Sequence, residues 1–369
     1  MPGLDDLPLR EDLRGQVPYG APQLDVPVRL NVNENPYPPS AGLVADIAAA
    51  VAGIAGTLNR YPDRDALQLR ADLAGYLGQD TGVGLSAAQL WVANGSNEIM
   101  LQLLQAFGGP GRVALGFAPT YSMYPEYCRD TFTRWVGVPR LPGFGLDVAT
   151  VVAALREHRP DVVLLASPNN PTGTAVELDV VEALCEHSPG IVVVDEAYAE
   201  FRRPGTASAV ELLTRHARLV VTRTMSKAFA LAGARVGYAA ADPAVVSALQ
   251  LVRLPYHLSA VTQVVARTAL SHAPELLGQV AALRRARDEL VDWLRERGFR
   301  VADSDANFVL FGQFDDAHAV WEGLLARGVL IRETGPAGWL RASLGTPEDN
   351  AALRAALTEV SEADRRERP

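Results

Sequence analysis

Between about residues 60 and 265 the chain alternates short apolar runs with helix-length segments of mixed polarity. The runs are LWVA (90–93), RVALGF (112–117), DVVLLAS (161–167), IVVVDEAY (191–198) and RLVVTRT (218–224). They are rich in β-branched residues and nearly continuous in apolar character. They lack the alternating polar positions of a sheet that shows one face to water. Such runs, separated by enough chain for a crossover helix, predict parallel strands covered on both faces and therefore an α/β domain. Upstream, VPYGAPQLDVPVRLNVNENPYPPS is dense in Pro and Asn, which resists regular structure and predicts an arm. AGLVADIAAAVAGIAG (41–56) predicts an amphipathic or buried helix, too short to span a bilayer. Beyond residue 265 the pattern changes. RRARDELVDWLRERG (284–298) is a charged amphipathic helix stopped by Gly298, while FRVADSDANFVLFG (299–312), GVLIRE (328–333) and WLRASLG (339–345) read as strands. The expected division is an arm over 1–40, a large domain over 41–265 whose first helix is shared with the small domain, and a small α+β domain over 266–369. The tail SEADRRERP reads as a frayed end.

Composition narrows the function classes. The apolar fraction of 48% and charged fraction of 21% are those of an ordinary globular protein. Net charge is −9 and no basic block occurs, so nucleic acid is not an expected partner. Cys128 and Cys185 form no CxxC pair, and the six histidines form no HxH or HxxxH pattern, so no bound metal is expected. The opening MPGLDDLPLRED lacks the apolar core of a secretory signal, and a cytoplasmic location is expected. One count redirects the reading: of 34 Lys and Arg residues, a single one is lysine, Lys227. Arginine replaces lysine in most surface roles. It cannot supply an amine that loses its proton and attacks a carbonyl.

In an open parallel sheet, ligands bind beyond the carboxyl ends of the strands. After LWVA comes NGSNE, with Gly95, Ser96 and Asn97 at a helix start, where free N–H groups suit an anion or simply cap the helix. After RVALGF comes APTYSMY, where Tyr121 can stack on a flat ring or join the core. After DVVLLAS comes PNNPTG, a stiff turn that presents Asn170. The run IVVV ends in Asp195, a carboxylate that is costly to bury without a partner, followed by Tyr198. After RLVVTRT comes Met-Ser-Lys, with Lys227 itself, and eight residues later Arg235, which suits a phosphate. An amine, an acid, an amide, an aromatic ring, a helix start and an arginine at one rim suit pyridoxal phosphate. That cofactor needs a lysine for its aldehyde, an acid for its ring nitrogen and donors for its phosphate and phenolate.

At these residues the chain resembles a known family. PNNPTG, DEAY, TMSKAFALAGARVGY and LRASLGT, in that order, resemble the fold-type I pyridoxal-phosphate aminotransferases. LNVNENPYPPS, RYPD (60–63), GSNE, PTYSMY and LPYHLS (254–259) are similar to the histidinol-phosphate aminotransferase family within them. The resemblance spans about residues 15 to 350. It implies the type I fold, a mostly parallel sheet flanked by helices with a smaller α+β domain. It also implies amino transfer between histidinol phosphate and 2-oxoglutarate in histidine biosynthesis. Further implications concern single residues. Lys227 would form the Schiff base and shuttle protons, and Asp195 would pair with the ring nitrogen. Tyr198 and Asn170 would hold the phenolic oxygen, and Tyr121 would stack on the ring. Ser96, Asn97, Thr224, Ser226 and Arg235 would hold the phosphate. Tyr61 would reach the partner subunit's cofactor in a homodimer. Arg341 would bind the substrate's anionic group, with Arg332, Tyr19, Asn33 and Glu34 also on the substrate side. Three positions depart from the usual pattern: Asn97 stands where Asp is frequent, Ala230 where Gly is common, and LRASLG where LRITVG is commoner. An aromatic, in particular phenylalanine, aminotransferase and a threonine-phosphate decarboxylase are the neighbouring alternatives. A nicotinamide enzyme is disfavoured, since no GxGxxG follows any strand.

Overall fold

The strands of the computed structural model, which describes residues 3–367, can be followed in chain order. They are β1 (Val28–Arg29), β2 (Leu90–Ala93), β3 (Val113–Ala118), β4 (Arg134–Pro139), β5 (Val162–Ala166), β6 (Ile191–Asp195) and β7 (Leu219–Thr224). They continue with β8 (Gly237–Ala241), β9 (Arg300–Val301), β10 (Phe308–Gly312), β11 (Val329–Leu330), β12 (Arg332–Glu333) and β13 (Trp339–Ser343). Seven of them build one sheet in the order β2-β8-β7-β6-β5-β3-β4. β8 runs antiparallel to both neighbours and the other six share one direction. Their carboxyl ends therefore open on one rim.

Alternate residues of each strand enter opposite cores, as a doubly covered sheet requires. Val163, Leu165, Val192, Val194, Leu219 and Val221 face one apolar layer. Val162, Leu164, Ile191, Val193 and Val220 face the other, with Trp91, Ile99, Leu103 and Tyr124. All five predicted runs are strands of this sheet. Two strands lie outside that expectation. β4 is an edge strand with no buried residue. β8, GYAAA, has no β-branched residue yet is wholly buried. Its small side chains permit a close approach: a Cβ on Gly237 would lie 2.2 Å from the Ser96 nitrogen.

The second region is a four-stranded antiparallel sheet, β12-β13-β10-β9. β1 pairs in parallel with β11, which ties the N-terminal segment to it. The helix expected over 41–56 spans Ala41–Ala55 and is amphipathic: Leu43 is buried, Ile47, Ala50, Val51 and Ile54 are half-buried on the same face, and the other residues are exposed. Its alanine content favours a helix without demanding a core. The helix ending before Gly298 begins earlier than its charged stretch, at Ala273, and the tail read as frayed continues the last helix, Pro347–Glu367. The final two residues lie outside the described residues.

Candidate active site

The carboxyl rim of the large sheet, the N-terminal segment and β12–β13 enclose a cavity of about 1350 Å³. Most of the residues singled out above line it, contributed by loops after β2, β5, β6 and β7. After β2, Gly95 takes φ +87° and caps helix Ser96–Phe107, so Ser96 and Asn97 offer the first free N–H groups of that helix to the cavity. A side chain at Gly95 would be strained by that φ and would displace the Arg235 guanidinium, since a Cβ would lie 2.7 Å from its Nη2. Thr224 and Ser226 are buried beside each other, their hydroxyl oxygens 3.0 Å apart. With Arg235 they complete a cradle of donors at the same wall.

Lys227 is enclosed. Its Nζ donates to the Val32 carbonyl at 3.0 Å. Burial, then the charge of Arg341, lowers its pKa to about 8. Asp195 ends β6 and is met by neutral donors: Tyr124 Oη at 3.1 Å on Oδ2, Thr222 Oγ1 at 3.2 Å on Oδ1 and the Ala197 backbone N–H. Burial pushes its carboxyl up to about 6, against those hydrogen bonds. Tyr198 is raised above the usual phenol range, by burial first. Arg341 is buried, donates to the Asn31 carbonyl at 2.8 Å and to Asn170 Oδ1, and has its Nε without a protein partner.

The chain turns the next acid the other way. Glu196 is buried outside the cavity and accepts from Ser208 Oγ, the Ala209 N–H and Arg223 Nε. Arg223, itself fully buried, also pairs with Asp80 at 2.7 Å and lies 3.6 Å from Glu200.

Tyr19, Glu34, Tyr121, Arg332 and Arg341 line the cavity, and Arg332 Nη2 donates to the Gly20 carbonyl at 3.2 Å. Asn33, expected on the substrate side, also lines the cavity, with its side chain hydrogen-bonded inward: Nδ2 donates to Tyr198 Oη at 3.0 Å, and Oδ1 accepts from Ser343 at 2.8 Å. It orients Tyr198. Tyr61 does not line this chain's own cavity. It is 79% exposed and stacks on Tyr256, centroids 4.3 Å apart. The sequence reading passed over Thr222, Ser343 and Tyr124. For Tyr124 a signal was present, a second tyrosine three residues after Tyr121 and so on the same side of a helical turn.

The donor set fits pyridoxal phosphate. A buried acid without a cation matches a protonated ring nitrogen, a helix start with two hydroxyls and an arginine matches a phosphate, and an easily deprotonated lysine matches an aldehyde.

The chain matches the family described as aminotransferase class I and II over residues 26–357. It is 64% identical to a histidinol-phosphate aminotransferase of Thermobifida fusca over 354 residues, covering 96% of this chain and 95% of that protein. It is 62% identical to histidinol-phosphate aminotransferase 3 of Burkholderia lata over 357 residues, 97% of this chain and 96% of the relative. The solved structure of the Sinorhizobium meliloti histidinol-phosphate aminotransferase in complex with pyridoxal-5'-phosphate has a TM-score of 0.81 at 25% identity, covering 92% of each chain. Thermus thermophilus aspartate aminotransferase with maleate has a TM-score of 0.78 at 27% identity, covering 91% of each.

Proposed function

The chain belongs to the aminotransferase class I and II family, and from that premise we propose that it is a pyridoxal-phosphate enzyme of histidine biosynthesis. It interconverts L-histidinol phosphate plus 2-oxoglutarate with imidazole-acetol phosphate plus L-glutamate. The observation that carries this reading is that the chain's one lysine is buried in the cavity that also holds Asp195 and the anion cradle. The substrate rests on the relatives named above; the fold alone does not choose it, since an aspartate aminotransferase shares it.

Bound in this cavity, pyridoxal phosphate supplies an aldehyde for the donor's amine and a ring that withdraws electrons from the carbon bearing that amine. Asp195, ionised above about pH 6, holds the ring nitrogen in its protonated form. Ser96, Asn97, Thr224, Ser226 and Arg235 hold the phosphate, Asn170 and Tyr198 the phenolic oxygen, and Tyr121 covers the ring. Lys227 anchors the cofactor. Once its Nζ is free, a pKa near 8 lets that amine accept a proton from the donor carbon and give it back elsewhere. Arg341 and Arg332, with Tyr19 and Glu34, receive the substrate. Guanidinium forks take a phosphate monoester in one half-reaction and carboxylates in the other.

The working unit in this reading is a cytoplasmic homodimer in which Tyr61 reaches the phosphate of the partner copy's cofactor. The exposure of Tyr61 supports it, as do exposed Leu58, Leu251, Leu254 and Tyr256 in the same two segments. Among the described residues, no helix is long and apolar enough to cross a membrane.

The test loads the protein with pyridoxal phosphate and adds histidinol phosphate without 2-oxoglutarate. The cofactor's absorbance should convert from the aldehyde to the amine form, faster than with phenylalanine or glutamate. Faster conversion by phenylalanine overturns the substrate. Release of CO₂ from an amino-acid phosphate, with no conversion by any donor, overturns the reaction.

A further inference from the structure

Tyr124 lies on helix Met123–Asp130, has no exposed surface and does not line the cavity. Its hydroxyl donates to Asp195 Oδ2. Its ring meets Tyr121 edge-on, centroids 5.6 Å apart at 86°, and packs at 6.3 Å from Trp135. Thr222, on β7, takes the other carboxylate oxygen. Two side chains from separate elements thus grip Asp195, one oxygen each, in addition to the Ala197 backbone N–H. A strand fixes an aspartate's backbone but not the rotation of its carboxylate plane; two donors on opposite oxygens do. Burial keeps the Tyr124 phenol protonated, so it is a permanent donor.

We infer that Tyr124 is a positioning residue that acts through Asp195, fixing the carboxylate in the orientation that receives the ring nitrogen of pyridoxal phosphate. This rests on the proposed seat of the cofactor against Asp195. The phenol also opposes the tendency of a buried carboxylate to take up a proton, which would cancel its attraction for a protonated ring. Without Oη, Asp195 either leaves Oδ2 unsatisfied or is neutralised, and both outcomes weaken the same contact.

The test measures binding to the cofactor-free protein, independently of turnover. Two ligands are compared: pyridoxal phosphate, and a deaza analogue in which C–H replaces the ring nitrogen. Tyr124→Phe keeps the ring packing and removes only Oη. Its dissociation constant for pyridoxal phosphate should rise about tenfold or more, the range for a hydrogen bond to a charged group, while that for the analogue stays unchanged. Thr222→Val should show the same selectivity, and it carries the test if Tyr124→Phe fails to fold. In an Asp195→Asn background, Tyr124→Phe should no longer affect pyridoxal phosphate binding. Equal weakening of both ligands, or none, overturns the role of Tyr124. Wild-type protein that binds both ligands equally overturns the seat of the cofactor and this inference with it.

Discussion

Asp195 and Glu196 are successive residues, both buried, and the fold treats them in opposite ways. Glu196 lies in an ionic cluster: Arg223 and Arg202 pair with it, Asp80 binds Arg223, and Ser208 and a backbone N–H also donate to its carboxylate. Asp195 faces the cavity with neutral donors and no cation, and burial lifts its carboxyl to about 6. A buried charge without an opposite charge is the costlier arrangement, so its persistence points to a partner outside the chain. Asn33 and Arg235, which line the cavity, and Ala230, five residues before Arg235, adopt left-handed φ of +56°, +56° and +52°, which L-residues adopt only when the surroundings hold them there; Ala66, Phe132, Phe144, Arg159 and Tyr256 do so away from the cavity. The paired acid serves the fold, and the unpaired one serves a ligand.

The largest effect should come from placing a permanent cation on the Asp195 side. Lys227→Arg keeps charge but cannot lose a proton; turnover should fall below detection while the melting temperature stays close to wild type. Substantial turnover would sink the assignment of Lys227. Next, Arg223→Met removes the better-placed of the two cations on the Glu196 side, leaving only Arg202 at 3.7 Å from Asp80 and 3.8 Å from Glu196. Losing the buried partner of Glu196, Asp80 and Glu200 should cost about 3 kcal/mol in urea unfolding, and a negligible loss would break the comparison.

Asp195→Asn should behave in the opposite sense. The cofactor-free protein should be no less stable at neutral pH, yet bind pyridoxal phosphate more weakly. Its pH dependence follows. The folded carboxyl titrates at about 6 against a usual 3.8, so the folded state holds the proton more tightly than the unfolded chain. The stability this group contributes is present below about pH 4 and lost as pH rises to about 6. Thermal melts of Asp195→Asn should lack that decline. The smallest effect concerns strain: Ala230→Gly should add about 0.5–1 kcal/mol by relieving the left-handed alanine, read as a modest rise in melting temperature.

The apolar runs disclosed the sheet because fully buried parallel strands need continuous β-branched sequence. β8 escaped because its strand character comes from its neighbours: Gly and Ala are poor strand formers, admitted where helix Ser96–Phe107 approaches too closely for anything larger. The residues proposed for the cofactor announced themselves by following strand ends, and the structure lays them around one cavity. Tyr124 and Asn33 could not be placed in this way. The first touches the acid from behind the cavity wall, and the second turns its amide to Tyr198; both roles depend on contacts spanning 71 and 165 residues. No local pattern encodes such a distance. The apolar stretch at 41–56 was legible as a helix, and its covered face follows the helical repeat through Leu43, Ile47, Ala50, Val51 and Ile54.

The segment Asn31–Asn33 binds Arg341 through the Asn31 carbonyl, Lys227 through the Val32 carbonyl and both Tyr198 and Ser343 through the Asn33 side chain. These contacts join positions separated by 165 to 310 residues. During synthesis, the large sheet has all its strands well before Arg341 and Ser343 leave the ribosome. The strand framework can therefore form early, while the N-terminal segment waits for β13 before it can lock. Competence to receive substrate thus arrives last, as a checkpoint on a finished chain, and a stalled or shortened product holding Lys227 but lacking Arg341 would not pass it.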